Sequence, residues 1–338
     1  MLRSPVNECE IGFEFRNTTP LLVKDGRYNQ GIAGKQMPAA VFQCRDDEDT
    51  MYDKVRMNRL AELKVFIAAS TLRGVFRSHM ECIARSFSPE TPRVCNPFIE
   101  KEDARYDHTG ATEVGCSFNG GKGYKDLCPI CRIFGSTVHA GRISFEDANP
   151  VNKGSVRIAE QIAIDRFTGS VRTGLGPFKL MTLEGAKFEC KIRLRNFELW
   201  QLGLLAYAFK DLKAGRLQIG MGRNLDRGHV RCDPTAAAAP DKLEMRLSYF
   251  GTSATKAGGM VKGLGALWGH ETERYDLKPE DGDGIPDLLE PDESASDGVE
   301  TVWRVRDSQT FWKALAPRWN SAVETFPVRR APAAVGGN

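Results

Sequence analysis

The sequence predicts an α+β fold, in which short strands and two long helices are interrupted by a cysteine-rich insertion. Residues 10–16 and 187–195 alternate apolar and polar side chains, as strands with one buried face do. Residues 198–213 carry apolar side chains at helical spacing. Residues 95–131 contain four cysteines and few other apolar side chains, which predicts a zinc-bearing insertion.

The composition is typical of a globular protein without a membrane span. Of the 338 residues, 41% are hydrophobic and 27% are charged, which suffices for one large domain or two small ones. No apolar run approaches the roughly 20 residues that cross a bilayer, and the first residues lack the apolar core of a signal peptide. Nine cysteines without a secretion signal favour a reducing compartment. We therefore expect a cytoplasmic protein with no membrane partner.

The distribution of charge is more informative than its sum. A net charge of +3 does not by itself indicate a nucleic-acid partner. Acidic residues crowd 46–49 and 280–297, however, whereas arginine and lysine dominate 157–231. This asymmetry predicts one basic face on the folded chain.

The first long helix is expected at 69–87, directly after a strand at 64–67. Ser70 or Thr71 has the side chain of an N-cap residue, and a Ser-Pro pair follows the last apolar position and ends the helix. Upstream, residues 45–53 are expected to form a solvated charged loop. Further strands are predicted at 142–145, 156–164, 216–219, 243–250 and 300–305, and a further helix at 309–320.

Three basic segments that contain glycine are candidate phosphate sites. Arg73 and Gly74 lie at the start of the first long helix, where free N–H groups point outward. A capped helix with solvated arginines fits the same residues, and the local pattern favours it. Residues 220–228 and 256–265 would let backbone amides approach phosphates closely, although simple turns are the alternative. Neither matches a Walker loop, so hydrolysis of a mononucleotide is disfavoured. The basic face of the strand at 187–195 either binds anions or is solvated.

The cysteines of the insertion have the composition of a structural zinc site. Four thiolates close a tetrahedral shell around zinc, and a segment so poor in apolar residues needs a metal to hold it. His108 is an alternative ligand, and four unrelated thiols are the simpler interpretation. A redox dithiol is disfavoured because a βαβ unit does not surround the CxxC pair. The predicted ligands are Cys95, Cys116, Cys128 and Cys131.

Several motifs occur together in one order along the chain. Residues 70–77 place an arginine before a glycine in the first helix, and 128–136 with 141–147 join the CxxC pair to a following strand. Residues 164–169 open a hairpin-like turn, and 197–215 form the second long helix. Together these motifs resemble the RAMP superfamily of CRISPR proteins, and the resemblance covers residues 8 to about 270.

The resemblance implies a ferredoxin-like, RRM-related palm at 1–270, with a zinc-bearing fingers insertion at about 90–135 and a thumb hairpin at about 160–182. Residues 271–330 are expected to form a C-terminal extension that completes or packs on the palm. Residues 331–338 are expected to be a disordered tail.

The same resemblance implies a backbone subunit of a type III or related CRISPR effector complex, a ribonucleoprotein of antiviral defence. Several copies would form a filament along a guide RNA, and each thumb would kink the duplex of guide and target. The implied partners are the guide RNA, a complementary target for which RNA is favoured, further copies of the chain and other CRISPR effector subunits. The residues expected to bind RNA are Arg73, Arg77, Arg166, Arg172, Arg223, Lys256 and Lys262. Asp226 interrupts the glycine-rich segment and weakens the phosphate role of that segment.

Two enzymatic alternatives remain. Cleaving type III subunits carry an aspartate after the first strand, and Asp25 is the nearest positional match, which would act with Mg²⁺. The residues that flank Asp25 differ from the family pattern, so we favour a subunit that does not cleave. A zinc-stabilised stand-alone enzyme is disfavoured because four cysteine ligands leave no open metal position.

Overall fold

We describe the protein from a computed structural model. It defines residues 4–26, 42–89, 93–96, 116, 123–137, 139–172, 174–236, 241–268, 275–278 and 284–327. The alternative ligand His108, much of the expected fingers insertion and the expected tail at 331–338 lie outside these residues. Within them, none of the helices is both long enough and apolar enough to cross a bilayer.

An antiparallel sheet is built around β1 (Asn7–Asn17), along which every second side chain is buried. β1 pairs with β6 (Lys187–Arg195) on one side and with β9 (Leu243–Phe250) on the other. The other strands of this sheet are β2 (Ile143–Phe145), β3 (Asn149–Asn152), β7 (Leu217–Gln218), β8 (His229–Arg231), β10 (Leu289–Pro291) and β11 (Glu300–Val305). The principal strand order is β10-β11-β9-β1-β6-β2.

Two further strands form a separate two-stranded sheet, β4 (Ser155–Gln161) and β5 (Phe178–Glu184). We call residues 155–184 the hairpin. The helices are α1 (Glu48–Arg56), α2 (Ala69–Ser86), α3 (Pro129–Phe134), α4 (Leu199–Lys213), α5 (Thr252–Ala257), α6 (Leu264–Leu267) and α7 (Ser308–Val323). Strands and helices in these proportions confirm the predicted α+β class.

Helices α2 and α4 cover the face of the sheet that carries the buried side chains of β1. The ring centroid of Phe13 lies 6.3 Å from that of Phe76 in α2 and 5.3 Å from that of Phe209 in α4. On its other side, α4 packs closely against α7: a Cβ atom at Gly203 would lie 2.5 Å from the carbonyl oxygen of Leu315. Because it has neighbours on several sides, α4 is buried around most of its circumference.

The opposite face of the sheet is charged, and its charges are paired. The basic side chains of β6 meet glutamates of β1, so neither expectation for this face, anion binding or simple solvation, describes it fully. The nitrogen-to-oxygen distances are 2.5 Å for Arg195–Glu8, 2.9 Å for Arg193–Glu10 and 2.6 Å for Lys187–Glu14. An anion would have to displace a carboxylate to bind here.

The expectation of a solvated loop at 45–53 is wrong. Helix α1 begins at Glu48, where the Asp47 carboxylate accepts a hydrogen bond from the Thr50 N–H at 2.9 Å. Met51 and Val55 are buried on one side of this helix. Two apolar residues four positions apart, after an aspartate cap, were the signal for a helix in an otherwise charged segment.

The expected N-cap of α2 is also wrong. The helix begins at Ala69 after Ala68, and the free N–H groups are taken by side chains from distant segments: Ala68 donates to Gln43 Oε1 and Ala69 to Asp147 Oδ1, both at 2.9 Å. The carboxylate of Asp147 thus occupies the position at which a phosphate was considered. Instead of the strand expected at 64–67, the structure has isolated bridges from Val65 and Ile67.

Candidate metal centre and projecting hairpin

Four cysteine thiols converge where α3 begins. Their Sγ atoms all lie within 4.8 Å of one another, and all four residues are buried. The Sγ atom of Cys95 lies 3.6 Å from that of Cys128 and 3.7 Å from that of Cys131. The sulfurs of a disulfide lie about 2.05 Å apart, so these are free thiols. The fourth member, Cys116, accepts a hydrogen bond from the backbone N–H of Cys128.

The cluster has the dimensions of a tetrahedral metal site. Zinc bonded to sulfur at about 2.3 Å has a tetrahedral shell whose sulfurs are about 3.8 Å apart. The separations of 3.6 and 3.7 Å around Cys95 agree with this edge length. Four buried sulfur ligands would complete such a shell and would leave no position for a substrate or a water molecule. The cysteines that the sequence singled out are therefore able to bind a metal ion such as zinc.

Without a cation, the four thiols cannot all ionise. Burial raises the pKa of Cys128, but hydrogen bonds from the three neighbouring cysteines outweigh it and hold that pKa well below its usual range. The pKa values of Cys95 and Cys131 are raised, with the hydrogen bond to Cys116 as the largest cause. A divalent cation removes this conflict, because metal binding favours the thiolate form of every ligand.

We call Cys95, Cys116 and residues 123–141 the cysteine knuckle. Its local fold follows from residue type: the Cys128 sulfur caps α3 by accepting from the Cys131 N–H at 3.4 Å, and proline stands at the first position of the helix. Gly135 follows with a φ of +83°, and a Cβ atom there would lie 2.5 Å from the Gly141 nitrogen. Only glycine allows this approach.

Two arginines of α2 hold the end of the knuckle. Arg73 donates a hydrogen bond to the carbonyl oxygen of Phe134. Arg77 donates to the carbonyl oxygen of Gly135 at 3.2 Å and to Cys131 Sγ at 3.5 Å. Partial burial and the neighbouring Arg77 charge lower the pKa of Arg73. Both guanidinium groups therefore have a structural role, and their contact with RNA stays a prediction.

A buried polar network fastens the knuckle to the rest of the fold. Arg132 is 1% exposed and contacts the Asp276 carboxylate at 2.8 Å. Glu198 is fully buried, accepts a hydrogen bond from the Tyr124 hydroxyl at 2.7 Å, and pairs with Arg142 at 3.4 Å. None of these five residues was singled out in the sequence. Their partners lie far away along the chain, so no local pattern marks them.

The base of the hairpin is fixed by an asparagine and a glycine. Asn17, at the end of β1, donates to the Leu183 carbonyl at 3.1 Å and accepts from the Ala186 N–H at 2.8 Å. Gly154 has a φ of +60°, and a Cβ atom there would lie 2.1 Å from the carbonyl oxygen of Glu184. The hairpin thus leaves the sheet in a defined direction. Residues 180–183 of β5 are buried, whereas β4 is half-buried or exposed.

The tip of the hairpin exposes an aromatic ring between two arginines. Phe167 is 99% exposed. Asp165 accepts backbone hydrogen bonds from Phe167 at 2.9 Å and Thr168 at 3.0 Å, which lower the pKa of that carboxyl and shape the turn. Arg166 and Arg172 are exposed, and neither forms an ion pair with a described residue. Phe167 was not singled out in the sequence, where its signal was a large aromatic residue in a polar turn.

The glycine-rich turn at 220–228 lies beside the hairpin. The Gly228 N–H donates to the Pro20 carbonyl at 2.9 Å. The Gln161 side chain, in the orientation that satisfies both of its polar atoms, accepts from Arg227 at 3.0 Å. Arg223 is exposed in the same turn. The predicted RNA-binding residues of the hairpin and of this turn therefore belong to neighbouring segments.

The remaining predicted residues lie elsewhere. The Asn7 side chain donates to the Lys262 carbonyl at 3.2 Å, which puts Lys262 at the end of β1 opposite to the hairpin. The ammonium group of Lys256 donates to the Leu267 carbonyl at 3.0 Å. Asp25 is buried, with 5% of its surface exposed. Neither lysine is brought to the hairpin, and the carboxyl of Asp25 is poorly accessible.

Comparison with known proteins gives one family. A model described as the RAMP superfamily matches residues 14–231, nearly two-thirds of the chain. The matched span includes the last residues of β1, the cysteine knuckle, the hairpin, α4 and the glycine-rich turn. A search of curated proteins finds no match.

Proposed function

The chain belongs to the RAMP superfamily, and from that premise we propose that it is a guide-RNA-binding backbone subunit of a type III or related CRISPR effector complex. The superfamily connects the chain with CRISPR-associated RNA binding and with a complex that contains other subunits. In this proposal several copies stack along one guide. Each copy positions the duplex of guide and target, with RNA as the favoured target.

We propose a ferredoxin-like palm at 1–270 as the body of the subunit. The sequence of elements β1, α2, β2, β6, α4 and β9 is βαββαβ, and their sheet order β9-β1-β6-β2 supports this arrangement. Residues 271–330 would extend the palm, because β11 pairs with β9 and α7 packs on α4. Zinc would hold the fingers insertion through the four cysteines, which supply the sulfur ligands that it prefers.

The single observation that carries the proposal is the exposed tip of the hairpin. A fully exposed phenylalanine has no partner within the described chain, and it stands beside two exposed arginines. Stacking of a base on an aromatic ring contributes about 1–3 kcal/mol, and arginine contributes attraction to the phosphate backbone. Such a tip is suited to unstack one base pair and to hold the bend that results.

The test uses the full chain assembled with guide RNA. We expect purified wild-type protein to carry RNA of uniform length, and chemical probing of a bound guide–target duplex to show reactive bases at regular intervals. Phe167→Ala should retain the RNA but lose the regular reactivity, because the ring no longer separates the bases. Arg166→Ala with Arg172→Ala should release RNA at lower salt than the wild type does.

A matched control is Met57→Ala, since Met57 is also an exposed apolar residue, at 61%, and lies in no predicted RNA-binding segment. It should behave as the wild type does. Protein that carries no RNA and binds none would refute the RNA-binding proposal. RNA binding with the same reactivity pattern in Phe167→Ala would refute the role of the hairpin alone.

A further inference from the structure

An open groove lies on the helical side of the molecule. It has a volume of about 510 Å³ and runs between α4 and α7, with residues that follow β8 at one end. The two helices are antiparallel, since Trp200 lies beside Trp319 and Phe209 stacks on Trp312 at 5.2 Å. The groove therefore follows two helix axes and is elongated.

The shape of the groove is that of a site for a third helix. One wall carries residues of α4 at helical spacing, Ala206, Lys210 and Lys213, and the other carries residues of α7 from Ser308 to Asn320. Twelve helical rises of about 1.5 Å make a wall about 18 Å long, or just over three turns. A helix that lies in such a groove buries an apolar stripe at i, i+3, i+4 and i+7 spacing.

The residues that line the groove indicate what kind of helix it would bind. Its floor is apolar and aromatic, with Phe209, Leu243 and Trp312 among the lining residues. Among the described residues, three lysines line it and no carboxylate does. Of the three, Lys213 contacts Asp233 at 3.9 Å, whereas Lys210 and Lys313 form no ion pair with a described residue. Lys313 also helps to lower the pKa of the Asp307 carboxyl, which lies outside the lining. The charge of the described lining residues is nevertheless positive.

We propose that this groove binds an acidic amphipathic helix of a partner protein. The apolar stripe of the bound helix would cover Phe209 and Trp312, and its carboxylates would pair with Lys210 and Lys313. The groove belongs to α7 as much as to α4, and α7 lies outside the span that the family model matches. None of the lining residues belongs to the hairpin or to the turn at 220–228, so this proposal does not depend on the RNA-binding surface proposed above.

The experiment measures binding of a synthetic helix to the full chain. The probe is a fluorescently labelled peptide of about 14 residues with leucine at i, i+3, i+4 and i+7 and glutamate at most other positions. A peptide of the same pattern with lysine in place of glutamate, and a scrambled acidic peptide, serve as comparisons. We expect saturable binding, measured by fluorescence anisotropy, for the acidic amphipathic peptide alone.

Variants locate the binding site. Lys210→Glu with Lys313→Glu should weaken binding of the acidic peptide by about tenfold, because two attractions become repulsions. The matched control is Arg56→Glu with Lys153→Glu, which makes the same change in net charge at exposed positions outside the groove. A third variant, Ala316→Phe, fills the groove without a change in charge and should also weaken binding. Circular dichroism of each variant confirms its folding.

Several outcomes would overturn the proposal. They are no saturable binding of the acidic peptide, equal binding of the lysine peptide, or equal loss of affinity in the control variant. Loss of affinity for single-stranded RNA in the Lys210 and Lys313 variant, with peptide binding unchanged, would assign the groove to RNA. The RNA-binding test at the hairpin remains independent, because none of these variants alters residues 155–184.

Discussion

The cysteine knuckle and the hairpin are both excursions from the same sheet, but they are built in opposite ways. In the knuckle, all four sulfurs are buried, and arginines from α2 and from α3 itself satisfy its carbonyl groups. In the hairpin, Phe167 is 99% exposed and the strands contact chiefly each other. The knuckle is surrounded by contacts from the rest of the fold. The hairpin is held at its base, along the buried part of β5 and at Gln161, but its tip is exposed.

Because of this difference, substitutions in the knuckle and at the hairpin tip should affect different properties of the protein. A residue surrounded by partners contributes to the free energy of unfolding, and its loss leaves buried groups unsatisfied. An exposed residue contributes little to stability, so its substitution can test contact with another molecule without unfolding the chain. Changes in the knuckle should therefore alter the melting temperature first, and changes at the hairpin tip should alter RNA binding alone.

The largest expected effect is the loss of one metal ligand. Cys131→Ser should abolish binding of the metal ion and lower the free energy of unfolding by at least about 3 kcal/mol, because structural zinc sites couple binding to folding. Metal analysis by mass spectrometry and thermal denaturation measure the two effects. Cys82→Ser, at an exposed cysteine outside the cluster, is the control. Wild-type protein without a stoichiometric metal ion would contradict this prediction.

Next in size is the removal of the buried charge that joins the knuckle to α4. Glu198→Gln should lower the free energy of unfolding by about 3 kcal/mol, since the buried Arg142 guanidinium would lose the negative charge of the Glu198 carboxylate. Denaturant titration measures the change. A more conservative disturbance, Tyr124→Phe, removes the hydrogen bonds that the hydroxyl donates to Glu198 and accepts from Gln201, and should cost about 1–2 kcal/mol. Equal costs for the two variants would show that the ion pair adds nothing.

At the hairpin tip, substitutions should change RNA binding and leave stability unchanged. Arg166→Glu with Arg172→Glu should leave the melting temperature unchanged, because neither side chain pairs with a described residue. The dependence of RNA affinity on salt should become shallower by about one unit of logarithmic slope for each phosphate that the protein no longer neutralises. Titrations at several salt concentrations measure the slope. An unchanged slope would remove both arginines from the RNA-binding surface.

Features that depend on local residue pattern could be predicted from the sequence, whereas contacts between distant segments could not. The alternation along 187–195 and the strands at 243–250 and 300–305 coincide with β6, β9 and β11, since each has one face in the core. The cysteines were recognised because ligand chemistry needs only residue type and approximate spacing. Polar side chains that act across long sequence distances, such as Glu198 and Asp147, left no local pattern.

Helix α4 shows how tertiary packing goes beyond sequence pattern. The sequence predicted a helix with one apolar stripe, yet nearly all of α4 is buried because α7 packs against the side away from the sheet. Trp200 and Gly203, which face α7, were not part of the predicted stripe. An interaction with a helix that lies about one hundred residues later in the sequence cannot be read from helical periodicity.

Arg73 contacts the knuckle and is also a predicted RNA-binding residue. Its substitution should therefore have a small effect on stability and a small effect on RNA binding. Arg73→Glu should cost about 1–2 kcal/mol of stability through loss of the hydrogen bond to Phe134, and should also weaken RNA binding if its charge reaches a phosphate. Arg56→Glu, on the exposed side of α1, controls for charge reversal alone. Lower stability with unchanged RNA affinity would make Arg73 a structural residue only.

The smallest expected effect is that of Asp25→Asn on cleavage of target RNA. A carboxylate that assists attack by a 2′-hydroxyl must come within about 2.6–3.2 Å of that oxygen, but Asp25 is only 5% exposed. The substitution keeps the size of the side chain, so stacking and guide binding should persist. Target RNA incubated with the assembled complex and Mg²⁺ should remain uncut in both proteins, as gel electrophoresis would show. Regularly spaced cuts in the wild type that vanish in Asp25→Asn would instead make the subunit a ribonuclease, and the segment around Asp25 would then have to open when RNA binds.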